Sequence, residues 1–412
     1  MQRFVARQPI LDRHERVYGY EILSRSADNV TSPPPNGGAG EKSICTGSPE
    51  FSELENIAEG RLAFIKCSRQ ALLNGHLAEL PRDHTVLEVC APGEPDDEIV
   101  AACRKWKAAG FLIALESFQA ASEDPLADLA DIIKLDLTGA ADRDQWHLLR
   151  KYRPRGAKFV AERVEKRAQF QAAVQQGFTY FQGPFFLRLE GGSNAGMTPT
   201  RMAYLLVLQA VTRPEINVQE VADIIKHDLA LSYKLLQLLN SARFGFSSQI
   251  KSIRHALLLL GHDEIRKWVG LISVKALGNG APPILVSTAL IRAAFCESLA
   301  PLVGASNRPS DYFLLGLLSC IDVLTGRPMR AVLAELPIAL DVRAALDGDD
   351  NPLRTVLQMV ISYEQADWEK CFNLAAALQL KEDGLSKLYL QALRWSRDLA
   401  EPDKDAPRRT GD

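Results

Sequence analysis

Five acidic residues occupy matching places in the first half of the chain. Glu21 follows VYGY, Glu88 follows TVL, Glu116 follows FLIAL, Asp136 follows IIKL and Glu162 follows FVA, each at or near the downstream end of a short apolar run. If those runs are parallel strands of a barrel, their C-terminal ends open on one face and the five carboxylates converge there. Converging carboxylates repel one another unless cations neutralise them. Divalent ions held by oxygen, Mg²⁺ or Mn²⁺, would do so, and a metal pair suits hydrolysis of a phosphoester. Any single acid could instead cap a helix or face solvent, but five in succession weaken that account.

The elements that would position these acids are legible in the same stretch. Apolar runs cover 4–10, 17–23, 62–68, 85–91, 111–117, 131–137, 157–164 and 180–186. Between them lie helix-like segments such as DEIVAACRKWKAAG (97–110) and KRAQFQAAVQQG (166–177), both ending in Gly, a common residue just past a helix C-terminus. About eight strands alternating with helices over roughly 190 residues predict an α/β fold with a parallel sheet. Periodicity alone leaves open whether that sheet is open or closed into a barrel. SPPPNGGAG (32–40) reads as a surface loop and LEGGSNAGMTP (189–199) as a linker, with Thr198 a candidate N-cap and Pro199 at the first helical position.

Beyond the linker the pattern changes. LALSYKLLQLLNSA (229–242) places Leu231, Leu235, Leu238 and Leu239 on one helical face, and similar stripes recur to residue 400. The second half is therefore expected to be an all-α bundle. The expected division is a barrel-like domain over 1–192, a helical domain over 198–400 and a charged, disordered tail over 401–412.

Composition bounds the rest. Of 412 residues, 47% are hydrophobic and 24% charged, which suits a globular protein of two domains. A formal charge of −3 gives no general attraction to nucleic acid or anionic lipid. The seven cysteines are scattered without a CxxC pair, several inside apolar runs, as buried thiols in a reducing cytosol would be. MQRFVARQPILDR lacks the features of a signal peptide, and no run reaches eighteen apolar residues, so no membrane span and a cytoplasmic location are expected. There is no GxGxxG after a strand, no P-loop and no GxSxG, and KHDLALSYKLLQLL is too apolar for a nucleic-acid recognition helix.

RFVARQPILDRHERVYGYEILSR, with KLD (134–136), FVAERVE (159–165) and YFQGPFF (180–186) in order, resembles the EAL-type cyclic di-GMP phosphodiesterases, in the branch fused to an HDOD domain (YuxH-like proteins). HDLALSYKLLQLLNSARFGF and IKSIRHALLLLG are similar to an HDOD core. The resemblance covers essentially the whole chain. It implies a TIM-like barrel whose first strand runs antiparallel to the rest, followed by an all-helical HDOD domain. Glu21 then stands for the signature glutamate, and Glu88 is a metal ligand. Lys134 and Asp136 help to bind and activate water or a second metal. Glu162 and Glu165 are further acids, Gln182 is a late polar contact, and Arg25, Lys66 and Gln182 are candidates for contacting a ligand. An active site of this kind would hold Mg²⁺ or Mn²⁺ on Glu21, Glu88, Glu116 and Asp136.

Departures from the family pattern argue against catalysis. Lys66 in FIKCS stands where active members place an Asn metal ligand, and a protonated amine has no lone pair for a metal. The run ESFQ puts Glu116 and Ser117 in place of two adjacent Asp residues, and AASEDPLAD replaces the Gly-rich loop expected next. Lys66 either takes the place of a missing cation, pairing with Glu21 or Glu88, or points into solvent at the rim. On this reading no catalytic set survives, and no cofactor is expected.

In the helical half, His227-Asp228 and His262-Asp263 invite comparison with metal hydrolases of the HD type. Only His227, His255 and His262 lie beyond residue 197, and Ser319-Cys320-Ile321-Asp322 stands where a His-Asp pair would be expected, so this half reads as non-catalytic. Phe244 and Phe246 either plug the bundle or form an exposed patch. The leading reading is a signalling protein working through protein–protein contacts within cyclic di-GMP signalling, with a homodimer allowed. The alternatives are an active or weak metal-dependent phosphodiesterase, and a receptor that binds the nucleotide without cleaving it.

Overall fold

The computed structural model describes residues 3–26, 54–90, 97–116, 125–138, 142–189, 199–213, 215–226, 232, 235, 252–278, 280–382 and 384–400. Eight strands close into a barrel in chain order, which decides between the open and closed sheets. They are β1 (Arg3–Asp12), β2 (Val17–Ser26), β3 (Leu62–Cys67), β4 (Thr85–Cys90), β5 (Leu112–Glu116), β6 (Ile132–Asp136), β7 (Lys158–Glu162) and β8 (Tyr180–Gln182). β1 runs antiparallel to both its neighbours, β2 and β8, while β2 to β8 are mutually parallel. Parallel strands are buried on both faces, hence runs such as VLEV and IIKL rather than strict alternation.

The expected strands and the two quoted helices agree with the structure to within a few residues. The helices are Asp97–Ala108 and Arg167–Gln176, the first followed two residues later by Gly110 and the second directly by Gly177, both left-handed at φ 98° and 96°. The last run differs: β8 stops at Gln182, and Pro184–Leu187 turns into a 3₁₀ helix. Gly183 makes the turn at φ 140°, where a Cβ would stand 2.3 Å from the Val164 carbonyl oxygen.

The chain divides into two compact units. The first is Met1–Arg188 together with two late segments, Ser362–Trp368 and Asp383–Lys387; the second is Leu189–Ile361, Glu369–Glu382 and Leu388–Asp412. A contiguous division near residue 195 does not foresee those late segments, because each is a short helix–turn junction inside an otherwise helical stretch. Among its described residues the second unit carries helices and no strand, from Pro199–Thr212 and Val218–Lys226 to Leu385–Ala400. Leu205, Leu208, Val211, Val221, Ile225, Ile265 and Val269 form part of its core. Leu235 is buried there, whereas Thr198, Leu231, Leu238, Leu239, Phe244, Phe246 and the 401–412 tail lie outside the described residues. Among the described residues no helix is long and apolar enough to cross a membrane.

Candidate functional site

Side chains alternate along a strand, so each strand of a barrel presents every second residue to the interior. One interior rung is apolar: Ile10, Phe64, Val86, Ala114, Ile132, Val160 and Tyr180 pack together. Two residues along the same strands, towards the end where the parallel strands finish, come Gln8, Lys66, Glu88, Glu116, Lys134, Glu162 and Gln182. β2 adds Glu21 to this polar rung. Beneath Glu21 the strand carries Gly19, where a Cβ would meet the Leu62 carbonyl oxygen at 2.6 Å and the Phe64 ring at 2.9 Å. The glycine makes room for the aromatic ring of the rung below.

Lys134 is the centre of the polar rung. Its side chain is fully buried, and its Nζ lies 2.6 Å from Glu21 Oε2, 2.7 Å from Glu88 Oε1 and 2.9 Å from Glu162 Oε1. An ammonium group has three protons, and here it meets three acceptors. Lys66 points into the ring: its Nζ lies 3.0 Å from Glu116 Oε1 and 3.4 Å from Glu21 Oε1. Of the two expected positions for this amine, the structure shows the inward one, with Glu21 of the two expected acids as a partner and Glu116 as a further one. The Gln182 amide donates to Glu21 Oε2 at 2.6 Å and to Gln8 Oε1 at 3.1 Å, and the Cys90 thiol donates to Glu116 Oε2 at 3.2 Å.

These partners set the protonation of the ring. Burial pushes Glu21 upward, but Lys134 and Lys66, with hydrogen bonds from Lys134 and Gln182, hold it down at about 2. Glu88 goes the other way: burial and the Glu21 charge push its carboxyl up to about 8 against the pull of Lys134. Glu162 is also raised, chiefly by burial. Burial alone would lower Lys134, yet Glu162, Glu21 and Glu88 hold it well above the usual lysine range. With Glu88 protonated, the two ammonium groups and the remaining acids come closer to balance.

A divalent oxygen-ligated ion needs several free oxygens aimed at one point. Both oxygens of Glu21 are engaged by ammonium or amide protons, and Glu88 Oε1 is engaged by Lys134. Glu88 Oε2 and Gln182 Oε1 are buried without a hydrogen-bond partner. One such carboxylate oxygen and one amide oxygen do not make a site for Mg²⁺ or Mn²⁺. Among the described residues no three His, Cys, Asp or Glu side chains are grouped to hold a metal. Among the described residues, the donor set in this arrangement does not fit the ions that the acids first suggest.

Four of the five sequence-identified acids meet in the ring. Asp136 stands one alternation beyond Lys134, where its Oδ1 accepts from the Thr138 amide at 2.7 Å and its Oδ2 lies 3.2 Å from Arg163. Glu165 is exposed past the end of β7, and Arg25 is partly buried two alternations beyond Glu21 on β2. Ser117 lies outside the described residues. Gln8 is the ring member the sequence reading missed. It sits mid-strand in the one reversed strand, where no acid at the downstream end marks it.

In the helical unit, His255 and His262 are exposed on the helix Ile253–Leu277, and Asp263 accepts from the Ser310 hydroxyl at 2.8 Å. Ser319 and Cys320 contact the buried Arg292 guanidinium at 3.3 and 3.5 Å, and burial raises the Asp322 carboxyl. His227 and Asp228 lie outside the described residues.

The HDOD domain family matches residues 198–341. Uncharacterized protein YuxH of Bacillus subtilis (strain 168) is 31% identical over 408 residues, covering 97% of this chain and 99% of its own. Cyclic di-GMP phosphodiesterase CdgJ of Vibrio cholerae serotype O1 is 29% identical over 401 residues, covering 96% of this chain and 93% of its own. Among solved structures, an EAL domain protein from Listeria monocytogenes EGD-e is similar with a TM-score of 0.34 and 18% identity, covering 45% of this chain and 87% of that one. The chain belongs to the YuxH-like family of two-domain proteins, in which an EAL-type barrel precedes a helical HDOD domain.

Proposed function

We propose that this protein is a non-hydrolysing component of cyclic di-GMP signalling, in which the barrel is a metal-free relative of the phosphodiesterases and the HDOD domain docks protein partners. The observation that carries this reading is the position of Lys66. Its ammonium group lies between Glu21 and Glu116, so a fixed positive charge stands among the acids that would otherwise gather a cation. With Lys134 it supplies positive charge among the acids in place of a metal, and it repels any cation that approaches. Hydrolysis of a phosphodiester at this place would require a metal-activated water, and of the ring's buried side-chain oxygens only Glu88 Oε2 and Gln182 Oε1 lack a partner, too few to hold the metal.

A second reading, a metal-dependent phosphodiesterase, is favoured by one observation: CdgJ, which carries that activity in its name, matches over 96% of the chain. For a receptor that binds the dinucleotide without cleaving it, the ring is electrostatically poor. Four carboxyl groups face two ammonium groups, and the ligand is a dianion. Incubating the purified chain with cyclic di-GMP and either Mg²⁺ or Mn²⁺, and following the linear product by chromatography, tests the proposal. The expected result is no turnover above a metal-free control; steady metal-dependent turnover would replace the proposal with the enzyme reading.

A further inference from the structure

β1 is ten residues long but meets β8 only over Ile10–Asp12. Along Arg3–Pro9 it has β2 on one side, and its other edge is free of β8. Within the barrel unit, the late segment Ser362–Trp368 lies along this upper part of β1. The Tyr363 hydroxyl donates to the Val5 carbonyl at 3.1 Å, and the Gln8 amide donates to the Gln365 carbonyl at 2.9 Å. The Phe4 and Trp368 rings lie 6.0 Å apart, and Tyr363 packs edge-on against Trp368 at 5.2 Å, all three rings being buried. The segment holds its own shape through a turn: Ala366 takes φ 55°, and the amides of Ala366 and Asp367 donate to the carbonyls of Tyr363 and Ser362.

Gln8 belongs at once to this contact and to the ring. Its Nε2 serves the late segment, while its Oε1 accepts from Gln182, whose amide also holds Glu21. Gln8 shares the face of Ile10, which packs in the apolar rung, so alternation puts Phe4 on that same face. We propose that residues 362–368 are a strap on the open end of the barrel, and that the Gln182–Gln8–Gln365 hydrogen bonds link the docking of the strap to the state of the carboxylate ring. Any molecule that takes the Gln182 amide away from Gln8 loosens the strap, and by thermodynamic reciprocity a loosened strap changes the affinity of the ring for that molecule. The link rests on hydrogen bonds within the barrel unit, so it holds whether or not the barrel hydrolyses anything.

Hydrogen exchange of the full chain, read on the peptide that carries the Ala366 and Asp367 amides, tests the link. Tyr363→Phe removes a direct strap contact and sets the scale. Gln182→Ala touches no strap residue, yet the account predicts roughly three- to tenfold faster exchange in the strap, the equivalent of one lost hydrogen bond. Unchanged strap exchange in a folded Gln182→Ala variant would overturn the proposal. Should that variant fail to fold, Gln182→Met keeps the bulk of the side chain while removing both hydrogen bonds of its amide. The same acceleration is then expected, and its absence is equally decisive.

Discussion

Two neighbouring rungs of one barrel are built on the same strands, by the same alternation, and they hold together by opposite means. The apolar rung from Ile10 to Tyr180 gains from burial in any direction, so its parts are partly interchangeable. The polar rung depends on each proton meeting a specific acceptor, so removing one partner strands the others. A barrel of this kind can shorten an aliphatic side chain at modest cost, yet it cannot drop a single ammonium group without exposing several buried acids to one another.

The sharpest way to break this contrast is to cut each rung once. Lys134→Met leaves Glu21, Glu88 and Glu162 buried without their common partner, and a loss of about 3–5 kcal/mol is expected in urea unfolding of the full chain. Ile132→Val, two residues earlier on the same strand, should lose only about 0.5–1.5 kcal/mol. Equal losses would erase the distinction between the rungs.

A smaller effect separates the two acids nearest Lys134. In the folded chain Glu88 holds its proton up to about pH 8, against 4.5 for the free group, so its contribution to stability is complete below 4.5 and fades as pH rises towards 8. Glu21 has the opposite sign: lowered to about 2, it contributes fully above 4.5 and loses that contribution as pH falls towards 2. Glu88→Gln mimics the protonated carboxyl. It should leave stability near pH 5 almost unchanged and remove a decline on the order of 1 kcal/mol or more between about pH 5 and pH 8. An unaltered pH profile in that variant would show that Glu88 is ionised throughout.

Much of this site was legible before the fold was known, and the parts that were not have physical causes. The acids closing VYGY, TVL, FLIAL and FVA pointed to one end of the barrel because parallel strands finish on one face. Asp136 shared that pattern but lies one alternation higher, where Thr138 and Arg163 claim it; position near a strand end fixes the face, whereas depth decides the partners. The resemblance set Lys66 where an Asn ligand is expected, but the direction of its amine was not legible, because a four-carbon stem reaches either the ring or the rim. Gln8 and the strap were hidden for a further reason. Their contacts join residues more than 350 apart in the chain, and nothing local in either segment announces the other.

The central claim is that a lysine ammonium occupies the place of a metal. Calorimetric titration of the intact chain with Mn²⁺ tests it most directly, run beside the Lys66→Asn/Ser117→Asp variant. The account predicts no binding to the natural chain in the micromolar range and measurable affinity in the variant. Tight Mn²⁺ binding by the natural chain, unchanged when Lys66 is replaced, would contradict it.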